Sequence, residues 1–188
     1  MNQLPIHTVE TAPPEARQAL TDAKAKFGFL PNLLGKLANT PAALEAYLAV
    51  SDAFNRTSLT PLERQVVLLT TSFVNQCPYC VAAHSLLAGS MGVDQPTVDA
   101  LRAGRPVADE KVEALRRYTE HLVVRRGQAD PRETQRFLDA GFEKAQIYEV
   151  ITGITQKTLS NYADHVELIP LDAPFSAHAW RAPEAVAP

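Results

Sequence analysis

Proline and glycine fall in this chain where helices would begin and end, and between them apolar residues recur at helical rather than alternating spacing. Thr60-Pro61-Leu62-Glu63 is the strongest start. Threonine stands at the cap, proline at the first helical position and glutamate at the third, the pattern of a capping box, and it predicts a helix over residues 61 to about 76. Thr11 before Pro13-Pro14-Glu15 opens 14–27, Thr40-Pro41 opens 42–54, and Asp130-Pro131 opens a helix ending at Gly141. With Gly92, Gly104, Gly127 and Gly141 as stops, further helices are expected over 78–91, 95–103, 109–126, 131–140 and about 143–166, and Gly28 and Pro31 frame a bend into another short one. The expected fold is all-α.

The helix after Thr60 carries Leu62, Val66, Leu69 and Phe73 on one stripe, widened by Val67, Leu68 and Val74, so it should lie at the centre of the bundle. A fainter echo links 63–84 with 143–165, two long helical runs that each end in histidine, and suggests a weakly duplicated helical hairpin. Residues 1–169 are expected to form one helical domain. Residues 170–188, rich in proline and alanine, should be an extended arm, frayed or laid on a neighbouring subunit.

At 188 residues the chain can bury a core without metal or disulfide staples. Eighteen basic against twenty-one acidic residues, with no basic cluster, exclude a nucleic-acid partner, and no segment has the length and apolarity of a membrane span. The first seventeen residues lack the pattern of a secretory signal, so a cytoplasmic location is expected. In that reducing compartment two cysteines three residues apart point to catalysis, redox sensing or metal binding.

Those cysteines stand in Cys77-Pro78-Tyr79-Cys80, immediately after the central helix. Pro78 suits the first position of the next helix, which puts Cys80 in a first turn where free N–H groups and the helix dipole favour a thiolate. The spacing also brings the two sulfurs close enough for a disulfide. His84, four residues on, shares the face of Cys80 and could shuttle its proton near neutral pH. Three other readings compete. A structural zinc site needs four ligands, and His7, His121, His165 and His178 offer no second pair, so no metal is expected. A thioredoxin-type motif would follow a strand, and two core cysteines beside a packed histidine would be structural only.

The stretch from Leu59-Thr60-Pro61-Leu62-Glu63-Arg64-Gln65 to Cys77-Pro78-Tyr79-Cys80-Val81-Ala82-Ala83-His84 resembles the carboxymuconolactone decarboxylase/alkyl hydroperoxidase D (AhpD)-like family, specifically its peroxidase-related members. Phe29-Leu30-Pro31-Asn32-Leu33, Asn161-Tyr162-Ala163-Asp164-His165 and Pro170-Leu171-Asp172 extend the resemblance over most of the chain. It implies an all-α homo-oligomer, a trimer or a multiple of one, that reduces alkyl hydroperoxides or hydrogen peroxide without a cofactor and is re-reduced by an external dithiol. Cys80 would be the attacking thiolate, Cys77 the resolving thiol and His84 part of a proton relay. The family's relay glutamate, twelve residues before the first cysteine, is Gln65 here, an amide that cannot titrate. Restoring the carboxylate by Gln65→Glu is expected to raise activity.

Glu63 belongs to the capping box, whereas Glu149 in the last helix is a candidate carboxylate and Tyr79 a candidate contact for a peroxide oxygen or for a neighbouring subunit. Asn161 and His165 are expected to make structural hydrogen bonds, and His121 to lie on the surface. A decarboxylase-like lyase and a non-catalytic redox sensor or interaction protein are the alternative functions. Paired cysteines argue against the lyase.

Overall fold

A computed structural model describes residues 3–183 of the chain. Its described residues form nine α-helices and no strand: α1 (Pro14–Phe27), α2 (Asn32–Leu37), α3 (Pro41–Asn55), α4 (Pro61–Val74), α5 (Pro78–Ser90), α6 (Gln95–Arg102), α7 (Glu110–Val124), α8 (Pro131–Asp139) and α9 (Gln146–Glu167). A 3-10 turn follows at Ala173–His178.

The capping box is complete, with Thr60 Oγ1 accepting from Glu63 N at 3.2 Å and Glu63 Oε2 accepting from Thr60 N at 2.7 Å. Asp130 caps α8 by accepting from Arg132 N. The expected caps at Thr40 and Thr11 differ. Thr40 stands at the head of α3, but its hydroxyl makes no cap bond, and Thr11 accepts from Thr8 N in a turn before α1. Pro13 and Pro14 occupy the head of α1 and have no N–H for a threonine to cap.

Helix α4 is central as its stripe predicted, touching α5, α6, α7 and α9, with Val66, Val67, Leu68 and Leu69 buried. It stops at Val74, before the expected end, because Gln76 turns left-handed at φ 56° and Cys77 N donates back to Ser72 O at 3.0 Å. The chain thus reverses into α5 directly at the first cysteine. Two apolar clusters flank α4. One joins α4 to α7 and α8 through a stack of Tyr118, Phe137 and Phe142, whose ring centroids are 4.5 and 4.4 Å apart. The other gathers Leu20, Leu33, Leu44 and Phe175 around Cys77, Tyr79 and Cys80.

Helix α9 lies across α3 and α4, and Gly153 makes the approach possible: a Cβ there would sit 2.6 Å from Phe54 Cζ and 2.7 Å from Val67 Cγ1. It is one uninterrupted helix of 22 residues, without the break at Cys77 that divides α4 from α5, so the echo between the two runs lies in their helical pattern.

The expected extended arm is corrected over residues 170–183. Asp172 accepts from Asn32 N, Phe175 is buried, Trp180 Nε1 donates to Arg102 O at 2.8 Å, and Arg102 in turn donates to the carbonyls of His178 and Ala179. Aromatic side chains and backbone carbonyls give this segment a seat on its own chain that proline and alanine content concealed. The remainder of the arm, residues 184–188, lies outside the described residues. No helix among the described residues is long and apolar enough to cross a membrane.

Candidate active site

Cys77 is the N-cap of α5, with a sulfur in the place usually taken by oxygen: its Sγ accepts from Cys80 N at 3.3 Å. Both thiols are free and buried. Cys80 lies in the first turn, as the spacing predicted, and three residues of α9 reach it. Lys157 Nζ is 3.9 Å from Cys80 Sγ, Ser160 Oγ is 3.6 Å away, and the Asn161 amide adds a hydrogen bond. Asp164, one turn further along α9, faces the other sulfur, with Cys77 Sγ 3.3 Å from Asp164 Oδ2. Its second oxygen accepts from Ile169 N at 3.0 Å.

The two thiols therefore meet opposite charges. Cys80 is lowered to about 6, first by the hydrogen bond from the Cys77 thiol and, against its own burial, by the Lys157 ammonium, with Ser160 and Asn161 assisting. Cys77 moves the other way: its bond to Cys80, burial, the Cys80 charge and the Asp164 charge all hold its proton in place. The Cys77 thiol donates to Asp164, and the charges of Asp164 and Cys80 both favour its protonated form.

His84 and Gln65 complete the constellation. His84 Nδ1 is 3.1 Å from Gln65 Oε1, and Lys157 Nζ donates to His84 Nε2 at 2.8 Å. The amide oxygen accepts, so Nδ1 carries the hydrogen and Nε2 offers a lone pair to the ammonium. Burial, and then the Lys157 charge, hold His84 well below its ordinary value, and the imidazole is neutral. Gln65 Nε2 in turn reaches Met91 Sδ at 3.5 Å.

Tyr79 is turned inward. Its hydroxyl accepts from Leu33 N at 3.3 Å and donates to Asp172, its ring meets Phe175 edge-on at 5.8 Å, and burial followed by the Asp172 bond keeps its proton on. It therefore packs within its own chain, against α2 and the 3-10 turn. Glu149 is not brought to the thiols, since its two oxygens accept from the backbone N and hydroxyl of Ser58 at 2.9 Å. Glu63 holds the capping box and pairs with Lys111 at 2.9 Å. Asn161 accepts from Asn75 Nδ2 at 2.9 Å, while His165 is exposed and stacked on Tyr162, and His121 Nε2 accepts from Asp130 N.

Lys157, Ser160 and Asp164 carry no role in the motif-based reading, although a signal existed. Gly153, Gln156, Lys157, Ser160, Asn161 and Asp164 recur at helical spacing and are all buried, a polar stripe that would mark an inward face built for chemistry. Cys80, His84 and Lys157 line a cavity of about 820 Å3, whose other walls include Phe29, Tyr47, Leu48, Leu86 and Met91. A second, more open groove of about 670 Å3 runs beside Pro78, Tyr79, Asp164, His165 and Trp180. Among the described residues no three histidine, cysteine or carboxylate side chains are gathered as metal ligands.

The model of the carboxymuconolactone decarboxylase family matches residues 41–121, which hold α3 to most of α7 and both cysteines. An alkylhydroperoxidase AhpD-core structure, a peroxidase-related protein from Ralstonia eutropha JMP134, superposes with a TM-score of 0.83 at 21% identity, over 92% of this chain and 93% of its own. Over residues 41–121 the chain matches the carboxymuconolactone decarboxylase family, and its fold is AhpD-like. A peroxidase-related protein from Silicibacter sp. TM1040 shares this AhpD-like fold with a TM-score of 0.78 at 19% identity, covering 92% of this chain and 91% of its own. So does a cysteine-to-alanine variant of the debrominase Bmp8 in complex with 2,3,4-tribromopyrrole, with a TM-score of 0.79 at 15% identity over 95% of this chain and 96% of its own. At these identities the likeness is one of fold. No curated protein matches the chain.

Proposed function

We propose that this AhpD-like protein is a thiol peroxidase that reduces organic hydroperoxides through a Cys77–Cys80 dithiol/disulfide cycle. The observation that carries the reading is the opposed setting of the two sulfurs: Cys80 beside a buried ammonium, Cys77 beside a buried carboxylate. In this cycle the Cys80 thiolate attacks the terminal oxygen of a hydroperoxide. The O–O bond breaks, its electron pair leaves on the alkoxide, which takes up a proton, and Cys80 becomes a sulfenic acid. The Cys77 thiol then condenses with that sulfenic acid, releasing water and closing the disulfide, and an external dithiol restores both thiols while being oxidised to its own disulfide.

A cavity of about 820 Å3 with aromatic and aliphatic walls suits a hydroperoxide with a sizeable apolar group better than it suits hydrogen peroxide. His84, neutral and bonded through Nε2 to Lys157, is in this reading the acceptor that holds the lysine beside Cys80, not itself the proton carrier. Homo-oligomerisation is proposed as well, supported by Tyr148, Ile151, Tyr162 and Val166, which stand exposed along the outer side of α9. Monomer alone by light scattering at micromolar concentration would refute it.

The cysteine roles are tested by a brief cumene hydroperoxide pulse followed by sulfenic-acid trapping and mass spectrometry. In Cys77→Ser, Cys80 should accumulate as trapped sulfenic acid, because no resolving thiol remains. In Cys80→Ser, peroxide should do little. Preferential oxidation of Cys77 would reverse the assignment, and inertness of the wild-type protein would remove peroxidase chemistry.

A further inference from the structure

Lys157 is among the largest side chains that the fold buries completely, at 1% exposure, and among the described residues it pairs with no carboxylate. A buried ammonium needs a compensating charge or it sheds its proton. The groups that face it are few. Helix α5 presents Cys80 and His84, with Cys77 at its cap, and α3 presents the Tyr47 ring at 5.9 Å; Gln65 of α4 reaches His84, and Asp22, Lys26 and Asp52 line other parts of the same cavity. Cys80, as thiolate, is the anion that matches the ammonium.

We infer that Lys157 is a catalytic residue of the peroxidase cycle, the acid that protonates the departing alkoxide, and that it gains and loses its proton in step with the redox state of Cys80. The inference rests on the peroxidase reading. When Cys80 attacks, the thiolate becomes a neutral sulfenic acid and the negative charge moves onto the alkoxide in the same cavity. Lys157 is then left without a partner in a site it shares with a strong base. It gives up the proton: thiolate, hydroperoxide and ammonium become sulfenic acid, alcohol and neutral amine. Disulfide closure expels water and leaves the amine neutral. When the external dithiol reduces the disulfide, one of its two protons returns to Cys77 and the other to Lys157, and the Cys80 thiolate is restored. Each half-reaction balances without a proton from solvent.

The neighbours leave no other donor as well placed. The Nδ1 hydrogen of His84 is committed to Gln65 and its Nε2 accepts from Lys157. The Tyr79 hydroxyl donates to Asp172, and Asp164 lies on the Cys77 side. Burial pushes the Lys157 amine down, yet the Cys80 thiolate, Tyr47 and Cys77 together hold it above its ordinary value in the reduced protein. Removing the Cys80 charge leaves the burial opposed mainly by neutral groups, so the same amine should release its proton after oxidation. The lysine also accounts for Gln65. A carboxylate at that position would add a second anion near the Cys80 thiolate, whereas an amide fixes the histidine tautomer and leaves the thiolate as the matching charge.

The deciding measurement is proton stoichiometry. Full-length, pre-reduced protein in weak buffer at neutral pH receives a single-turnover pulse of cumene hydroperoxide while a pH indicator is followed and Cys80 oxidation is quantified by mass spectrometry. Wild-type protein should take up no proton per Cys80 oxidised. Lys157→Arg, whose guanidinium keeps its proton, should react more slowly and take up one. In Lys157→Met, the ultraviolet absorbance of the Cys80 thiolate should titrate at least one pH unit higher, and oxidation at neutral pH should slow by about tenfold to a hundredfold. Uptake of one proton per Cys80 in the wild type would overturn the inference, because the lysine would then stay charged. So would an unchanged thiolate titration in Lys157→Met. If wild-type Cys80 is not oxidised at all, the peroxidase reading itself has failed, which is a different outcome. The wild-type measurement needs no variant and decides the matter even if both substitutions disturb folding.

Discussion

Asp164→Asn tests whether the carboxylate beside Cys77 restrains the resolving thiol or assists it. The substitution keeps shape: an asparagine Oδ1 can still accept from Ile169 N, while the oxygen 3.3 Å from Cys77 Sγ becomes an uncharged NH2. Two unit charges at 3.3 Å interact by about 5 kcal/mol at an effective dielectric constant of about 20. That would correspond to a ceiling of about 3.7 pKa units, and a neighbouring charge more commonly shifts a group by about 1–3. The Cys80 hydrogen bond and burial remain as larger causes, so Cys77 should fall without dropping below Cys80. Each unit raises the thiolate fraction about tenfold but lowers nucleophilicity, leaving a net gain of about threefold, so closure of the disulfide should accelerate by about 3- to 30-fold. Rapid-quench trapping of Cys80 sulfenic acid after a peroxide pulse reads this directly as a shorter lifetime. If Asp164 instead acts as a base for Cys77, the asparagine variant will close more slowly and the trapped sulfenic acid will persist. Slower or unchanged closure in a variant with native circular dichroism refutes the reasoning.

The rate of Cys80 alkylation by iodoacetamide should fall as pH drops through about 6, because protonation removes the nucleophilic form, and a midpoint near the ordinary thiol range would contradict the assigned electrostatics. Gln65→Glu, which the family resemblance alone would expect to raise activity, should here move the Cys80 titration upward and slow its reaction at neutral pH, since the new carboxylate opposes the thiolate; a faster reaction would mean that Lys157 leaves room for a second relay. Phe137→Ala opens the stack between Tyr118 and Phe142 and should cost about 3–5 kcal/mol by urea unfolding, with Cys80 reactivity unchanged because that stack belongs to the other apolar cluster. A loss under about 1 kcal/mol would show that the site collapses to fill the void.

The helices were legible because their boundaries are written in local chemistry: Pro61 with Thr60 and Glu63, Pro131 with Asp130, and the glycines that turn left-handed at 92, 104, 127 and 141. Cys77, Cys80 and His84 were equally plain, since their relation is set within one helix and its cap. Lys157 was not. It sits in Thr-Gln-Lys-Thr, polar surroundings typical of a solvated face, and the same helix carries Tyr148, Ile151, Tyr162 and Val166, apolar residues typical of a buried one. In the fold this polarity is inverted: α9 turns its polar stripe inward and leaves those apolar residues exposed. Amphipathicity gives the period of a helix, but it misplaces a face whose interior is built from charges that match one another across 77 residues of chain. The C-terminal segment failed for a related reason. Its anchors are Asp172, Phe175 and Trp180, three side chains whose partners lie far away in sequence, on Asn32, Tyr79 and Arg102.

Gly153 gives the protein a tuning screw located outside its reacting groups. It stands one helical turn before Lys157 on the same face, where the missing methyl lets α9 settle onto Phe54 and Val67. Descendants of this sequence could shift the acidity of Cys80 without altering any residue that touches it, simply by enlarging or shrinking the side chains in that crevice. The crossing distance of two helices would then become a heritable dial on thiol chemistry, with selection acting on peroxide reactivity through steric fit.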